Sequence, residues 1–238
     1  MVDVSAETNV FSKKTDGRAV VLLLARRIPN SGAAWPSVAG TIERTVSGWR
    51  SQGWYTALGD MFGDTSEPMV YETGFAHDID VAAVFEAPTV AAAYDGISEL
   101  QDSGWNVLFD TEWSVGVREF QPVVSRIGRN AQSPWALFAL WEWNDEWQAA
   151  SPAQRKAYDL ECDEAFTADV DSGVSIAGRH RLDAQSPWHH LGLWEAPTFE
   201  HITRGMFMHE TVADFKFTTS RHFVGRRRGL ADYLGAQS

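Results

Sequence analysis

The stretch Phe85-Glu86-Ala87-Pro88-Thr89 returns further along the chain as Trp194-Glu195-Ala196-Pro197-Thr198. Its surroundings return with it. A short apolar run precedes each copy, Val81 to Phe85 and His190 to Trp194, and each reads as a strand. A helix-like stretch follows each copy, Val90 to Leu100 and Phe199 to His209. A second run of strand character closes each set, Glu112 to Phe120 and Thr219 to Arg227. Proline fits the first turn of a helix, where its missing N–H costs nothing, and it pushes the preceding residue to an extended conformation. The pentapeptide is therefore expected to be a strand-to-helix corner, with an architectural role.

The front halves correspond as well. Ala19 to Ala25 and Trp135 to Glu142 are apolar strands, each leading into a Trp- and Ser/Pro-bearing loop and a helix. In the first helix Val38, Ile42, Val46 and Trp49 fall at helical spacing; in the second Tyr158, Cys162, Ala165 and Phe166 do so. Strands are expected next, at Trp54 to Gly59 with Met69 to Gly74, and at Val174 to Arg181. Each unit thus reads β-α-β-β-α-β, the ferredoxin-like order. The expected organisation is an N-terminal arm (1–17), a first repeat (18–121), a linker (122–133) and a second repeat (134–234). One such unit covers a single face of its sheet, so the expected fold is α+β, two fused ferredoxin-like repeats packed as an α+β barrel. The strands agree: Trp135, Leu137, Ala139 and Trp141 alternate with Ala136, Phe138, Leu140 and Glu142, and neither face is simply polar.

The 238 residues are 44% hydrophobic, enough for a real core, and carry a formal net charge of −12. That field repels a phosphate backbone, and Arg226-Arg227-Arg228 alone makes no groove, so nucleic acid is not an expected partner. The single cysteine, Cys162, rules out a disulfide within the chain and any Cys-x-x-Cys motif. Met1 to Gly17 lacks the apolar core of a signal peptide, and the longest apolar run, Ala19 to Ala25, is too short to span a bilayer. A cytoplasmic protein with no membrane partner is expected. Eleven tryptophans point either to a Trp-rich core and subunit interface or to a broad cavity for a flat ligand.

Glu146-Trp147, the loop into Ser151-Pro152-Ala153-Gln154-Arg155-Lys156, and the closing Phe223-Val224-Gly225-Arg226-Arg227-Arg228-Gly229-Leu230 resemble the chlorite dismutase and coproheme decarboxylase superfamily. The resemblance in layout runs from Ala19 to Leu234. It implies two fused ferredoxin-like repeats, an oxidoreductase acting on a small molecule or peroxide, and haem in the second repeat between sheet and helices. It places the proximal ligand at Cys162, or at Asp163 if the loop is aligned on Pro152, and the distal residue near Ser175. The haem-binding members carry histidine at the first position and Arg or Gln at the second, so this chain departs at both. Two readings stand: Cys162 is a thiolate ligand to haem, or haem has been lost and Cys162 is a small buried core residue.

Six of the seven histidines, His180, His189, His190, His201, His209 and His222, lie in the second repeat; only His77 lies in the first. The site is expected there. His189 and His190 are neighbours on a strand and point to opposite faces. His180 could approach one of them across the sheet, and Asp183 or Glu195 could orient an imidazole. The expected catalytic set is His180, His189, His190 and Arg179; the expected cofactor-binding set is Cys162, Ser175, Tyr158 and His222, with Cys162 as the axial metal ligand. A Cys162–histidine nucleophile–base pair is a further arrangement. Three functions are open: a chlorite-dismutase-like enzyme, with haem held by a non-histidine ligand; a haem-free protein or cofactor-independent enzyme that takes a small hydrophobic or aromatic ligand; and a structural assembly protein without a pocket. Homo-oligomerisation is expected under all three.

Overall fold

The computed structural model describes residues 11–12, 17–57, 60, 67–122, 133–182, 184, 186–212 and 214–235. The expected arm and linker, and Asp183, lie almost wholly or entirely outside them. Two compact units emerge: Gly17–Val117 together with the chain from Val224 onward, here the first unit, and Arg118–Phe223, the second.

The repeat is visible element by element. The first copy runs β1 (Ala19–Arg27), α1 (Trp35–Trp49), β2 (Met69–Glu72), β3 (Val81–Ala87), α2 (Val90–Leu100) and β4 (Phe109–Pro122). The second runs β5 (Trp135–Trp143), a short α3 (Asp145–Ala149), α4 (Pro152–Asp171), β6 (Ser175–Arg181), β7 (His190–Ala196), α5 (Phe199–Thr211) and β8 (Thr218–Gly229), followed by α6 (Leu230–Gly235). The fold class is α+β, and the sheets pair antiparallel. In the first unit β1 sits between β3 and β4, β2 pairs with β3, and Met69–Glu72 pairs with Arg226–Gly229 of β8. In the second unit β7 sits between β5 and β6.

Burial follows the predicted stripes. In α1, Ile42, Val46 and Trp49 are buried and Val38 packs beside them, joined by Trp35, Trp54, Phe85, Leu100, Trp105, Phe109 and Tyr233 in one core. Ala19 to Ala25 of β1 is buried on both faces. In α4, Tyr158, Cys162 and Ala165 are buried.

Two local expectations are corrected. Pro88 lies outside the helix: α2 starts at Val90 and Thr89 is its cap, extended at φ −147°, its hydroxyl accepting from the Ala92 N–H. A side-chain acceptor satisfies an orphan first-turn N–H, so threonine takes the cap and proline the place before it. Of the expected strand Trp54 to Gly59, the described residues 54–57 show one bridge, Tyr55 with Glu86. Asp60 ends it by accepting the backbone N–H groups of Thr56 (2.7 Å) and Ala57 (3.1 Å), which turns the chain away from the ladder.

Candidate functional site

In the second unit, cross-strand register decides which side chains share a face. Trp135, Leu137, Ala139 and Trp141 of β5 stand opposite Ala196, Trp194, Gly192 and His190 of β7. That face carries α4 and α5: Trp143 meets Tyr158 of α4 edge-on at 5.6 Å, and Trp194 stacks on Phe166 of α4 at 6.0 Å.

At the His190 end the face becomes a cluster of rings and charges. Trp141 and His190 stack at 3.9 Å and 11°. Trp143 stands edge-on to Trp141 at 4.9 Å and stacks on Trp147 at 3.9 Å. Trp147 is placed by a local joint. Asn144 caps α3, accepting the Trp147 N–H at 3.2 Å and donating its amide to the Lys216 carbonyl at 2.8 Å. Ser151 and Gln154 form a reciprocal capping box at the start of α4, with Pro152 in its first turn. Arg155 donates to the carbonyls of Trp147 (2.9 Å) and Gln148 (3.1 Å), its guanidinium 5.0 Å from the Trp147 ring. The stretch that carries the family resemblance is thus the brace that sets a tryptophan.

The charges come from strands far apart in sequence. Arg179 of β6 donates its Nε to Glu119 of β4 at 2.8 Å, and its guanidinium lies 5.5 Å from the Trp141 ring. The same Glu119 oxygen is 3.5 Å from His190 Nε2, an ion-pair distance at the edge of hydrogen bonding. Glu119 and Arg179 are about a quarter exposed and the His190 side chain 6%. The Glu119 and Arg179 side chains thus keep partial contact with solvent, while the imidazole beside Glu119 is buried.

Arg179 reaches this face through a bulge. Register shifts between Ile176, opposite Trp194, and Arg179, opposite Gly192. Gly178 takes φ 101° within that interval, a conformation glycine adopts without penalty. A regular strand would have put Arg179 on the other side.

The remaining expected site residues scatter. His180, fully buried, pairs with Leu191, and Ser175, also buried, pairs with Glu195; both lie on the sheet face opposite His190 and Arg179. His189 is exposed, just before β7. His222 tilts against Phe215 at 6.0 Å. Tyr158 and Cys162 pack with Phe217 against Trp143, Trp147 and Phe166. Among the described residues, no group of three or more His, Cys, Asp or Glu is placed to hold a metal ion, and no helix is long and apolar enough to cross a membrane.

Glu119, Trp141 and Asp169 were missing from the expected set. Asp169, buried in α4, lies 3.1 Å from Nε2 of the buried His209 in α5. A glycine inside a strand, Gly178, was the legible signal for the bulge; nothing local marks Glu119.

No family model and no curated protein sequence matches the chain. Solved structures do. Chlorite dismutase from Candidatus Nitrospira defluvii, in a variant form, superposes with a TM-score of 0.75 at 13% identity over 94% of this chain and 96% of that one. The same organism's chlorite dismutase in complex with imidazole gives 0.74 at 12% identity, covering 98% and 97%. A variant in complex with cyanide gives 0.72 at 12%, covering 100% and 99%. The chain has the chlorite dismutase fold. At this identity the likeness speaks for the fold alone.

The resemblance implies haem, and the residues do not fit it. A porphyrin seated on Cys162 would have to displace the Trp143–Trp147 stack and the rings of Tyr158 and Phe217 that enclose the thiol. Ser175, at the implied distal position, belongs to the opposite face of the sheet. The two positions that would flank a haem do not share a cavity.

Proposed function

We propose that this chain is a haem-free protein with the chlorite dismutase fold that binds a small aromatic or hydrophobic molecule beside Trp141, Trp143 and Trp147 and does acid–base chemistry on it. Glu119 is the proton-exchanging group, Arg179 steadies charge on the ligand, and His190 positions Glu119. The observation that carries this reading is the single Glu119 oxygen held between Arg179 and the His190 imidazole that stacks on Trp141. A carboxylate at that junction can exchange a proton with a ligand while the imidazole adjusts to the charge left behind. His180, His189, Ser175 and His222 have no role in it. The partner is a small molecule, with neither nucleic acid nor membrane involved, and the protein works in the cytoplasm as a homo-oligomer; a monomer by light scattering would overturn the last point.

Two measurements test the function. Titration of the purified protein with haemin should leave the broad Soret absorption of free haemin unshifted in either redox state; a shifted band that saturates stoichiometrically and is lost in Cys162→Ala would defeat the haem-free reading. Imidazole, benzoate and phenol, titrated against tryptophan fluorescence, should include one binder whose affinity falls about tenfold in Glu119→Gln and Arg179→Ala, the scale of one charged hydrogen bond. Unchanged binding in both variants would move the site elsewhere.

A further inference from the structure

The repeat supplies an internal control for one other feature of the second unit. Helices α1 and α4 end the same way. Gly53 and Gly173 both take positive φ, 84° and 97°. Trp54 N–H donates to the Trp49 carbonyl and Val174 N–H to the Asp169 carbonyl, both at 3.1 Å; Gly53 N–H donates to Arg50 and Gly173 N–H to Val170. The match makes Asp169 the counterpart of Trp49 and Val174 the counterpart of Trp54. The repeated pentapeptide likewise pairs Gly96 with Gly205 and Leu100 with His209.

The contents of these equivalent corners differ in kind. In the first unit Trp49 and Trp54 stack at 4.4 Å, and Gly96 is open-sided because the Trp54 ring lies where its Cβ would be, 2.5 Å away. Leu100 completes an apolar plug. In the second unit the indoles are gone. Asp169 bonds His209 at 3.1 Å, both buried. Gly205 now makes room for the carboxylate, whose Oδ1 is 2.8 Å from a would-be Cβ. With valine in place of the second indole, a cleft opens between α5 and the sheet, walled by Trp194, Val174, Ile202 and Met206 with Asp169 and His209 beside it. It is shallow and open to solvent, and its enclosed part holds about one water, so a ring enters only if a wall gives way.

Stability does not account for the exchange. Replacing both partners of a buried hydrogen-bonded pair by well-packed apolar groups is commonly neutral or stabilising, and the first unit shows the apolar version at work in the same corner. An apolar pocket with a few convergent polar groups is the usual composition of a small-ligand site. We propose that this cleft is a second ligand site, separate from the Glu119 cluster, for a single-ring aromatic molecule bearing one O–H or N–H. The ring enters where the first unit keeps the Trp54 indole, the flexible Met206 side chain yielding to admit it. The polar hydrogen is read by the Asp169–His209 pair.

Phenol and toluene are the probes, followed through the Met206 methyl resonance in protein labelled at the methionine methyls. In the wild type phenol should shift that resonance and saturate, binding about tenfold more tightly than toluene, the contribution of a hydrogen bond to a charged group. Val174→Trp, which restores the first unit's residue, should abolish the phenol shift without lowering the melting temperature. His209→Leu, again the first unit's residue, should bring the phenol-to-toluene ratio below about threefold, and it decides the matter if Val174→Trp misfolds. Glu119→Gln should leave the Met206 shift unchanged, which separates this site from the one proposed above. A wild-type Met206 resonance indifferent to phenol, or a phenol preference that survives His209→Leu, overturns the proposal.

Discussion

Gly96→Ala puts the packing of the first unit to a quantitative test. The new Cβ would lie 2.5 Å and 2.6 Å from two carbons of the Trp54 ring and 3.4 Å from Trp49. A flexible neighbour could retreat, but this one is held. Trp54 is 4% exposed and stacked on Trp49. Trp49 is edge-on to Phe85 at 5.5 Å and donates its indole N–H to Glu99 at 2.9 Å. Overpacking a core of this kind costs about 1–3 kcal/mol, and a contact so far inside van der Waals distance belongs in the upper half. Alanine is the better helix former by about 0.8–1.0 kcal/mol. The net expectation is a loss of about 1–2 kcal/mol, read as a lower urea midpoint by far-UV circular dichroism with an unchanged m-value. In a Trp54→Val background, where the corner resembles the second unit, the same substitution should become neutral or stabilising by up to about 1 kcal/mol. An equal loss in both backgrounds, or no loss in the wild type, would refute the assignment of Gly96 to that ring.

The two copies of the corner should answer differently to one substitution. Thr89→Ala removes a cap and should cost about 1 kcal/mol, whereas Thr198 makes no cap bond and meets His201 Nδ1 at 3.0 Å instead, so Thr198→Ala should cost a few tenths; equal midpoint shifts would contradict this. Arg155→Ala strips two hydrogen bonds from the α3–α4 joint and should lower stability by about 1–2 kcal/mol while shifting tryptophan fluorescence; an unchanged spectrum would argue against the brace on Trp147. Burial raises the Tyr233 phenol above its ordinary range, the positive charge of Arg27 opposing the shift. Because the fold favours the protonated form, stability should fall as pH climbs past the unfolded tyrosine value of about 10. Tyr233→Phe should flatten the melting temperature's decline between pH 9 and about 11; a parallel decline would remove Tyr233 as its source.

The duplication, the order of elements and the buried stripes are legible in the residues alone. Those features rest on period, spacing and turn chemistry, which are local. Val90 to Leu100 was readable as a helix from its own residues, and Ile42, Val46 and Trp49 announced their shared face. The resemblance carried by Glu146-Trp147 and Pro152 to Arg155 pointed to the right fold. Tertiary structure alone decided which side chains meet at the two proposed sites. A one-residue bulge at Gly178 reverses which face Arg179 serves, and no periodicity shows a register slip. Glu119 meets Arg179 because β4 continues into the second unit, a pairing between strands remote in sequence. The same cause hid Asp169. Its significance appears only when its helix end is matched, hydrogen bond by hydrogen bond, to the one that ends in Trp49. The repeat was legible as a likeness, and the fold shows where the two copies part: the first fills its corner with indoles, and the second keeps an acid–base pair there.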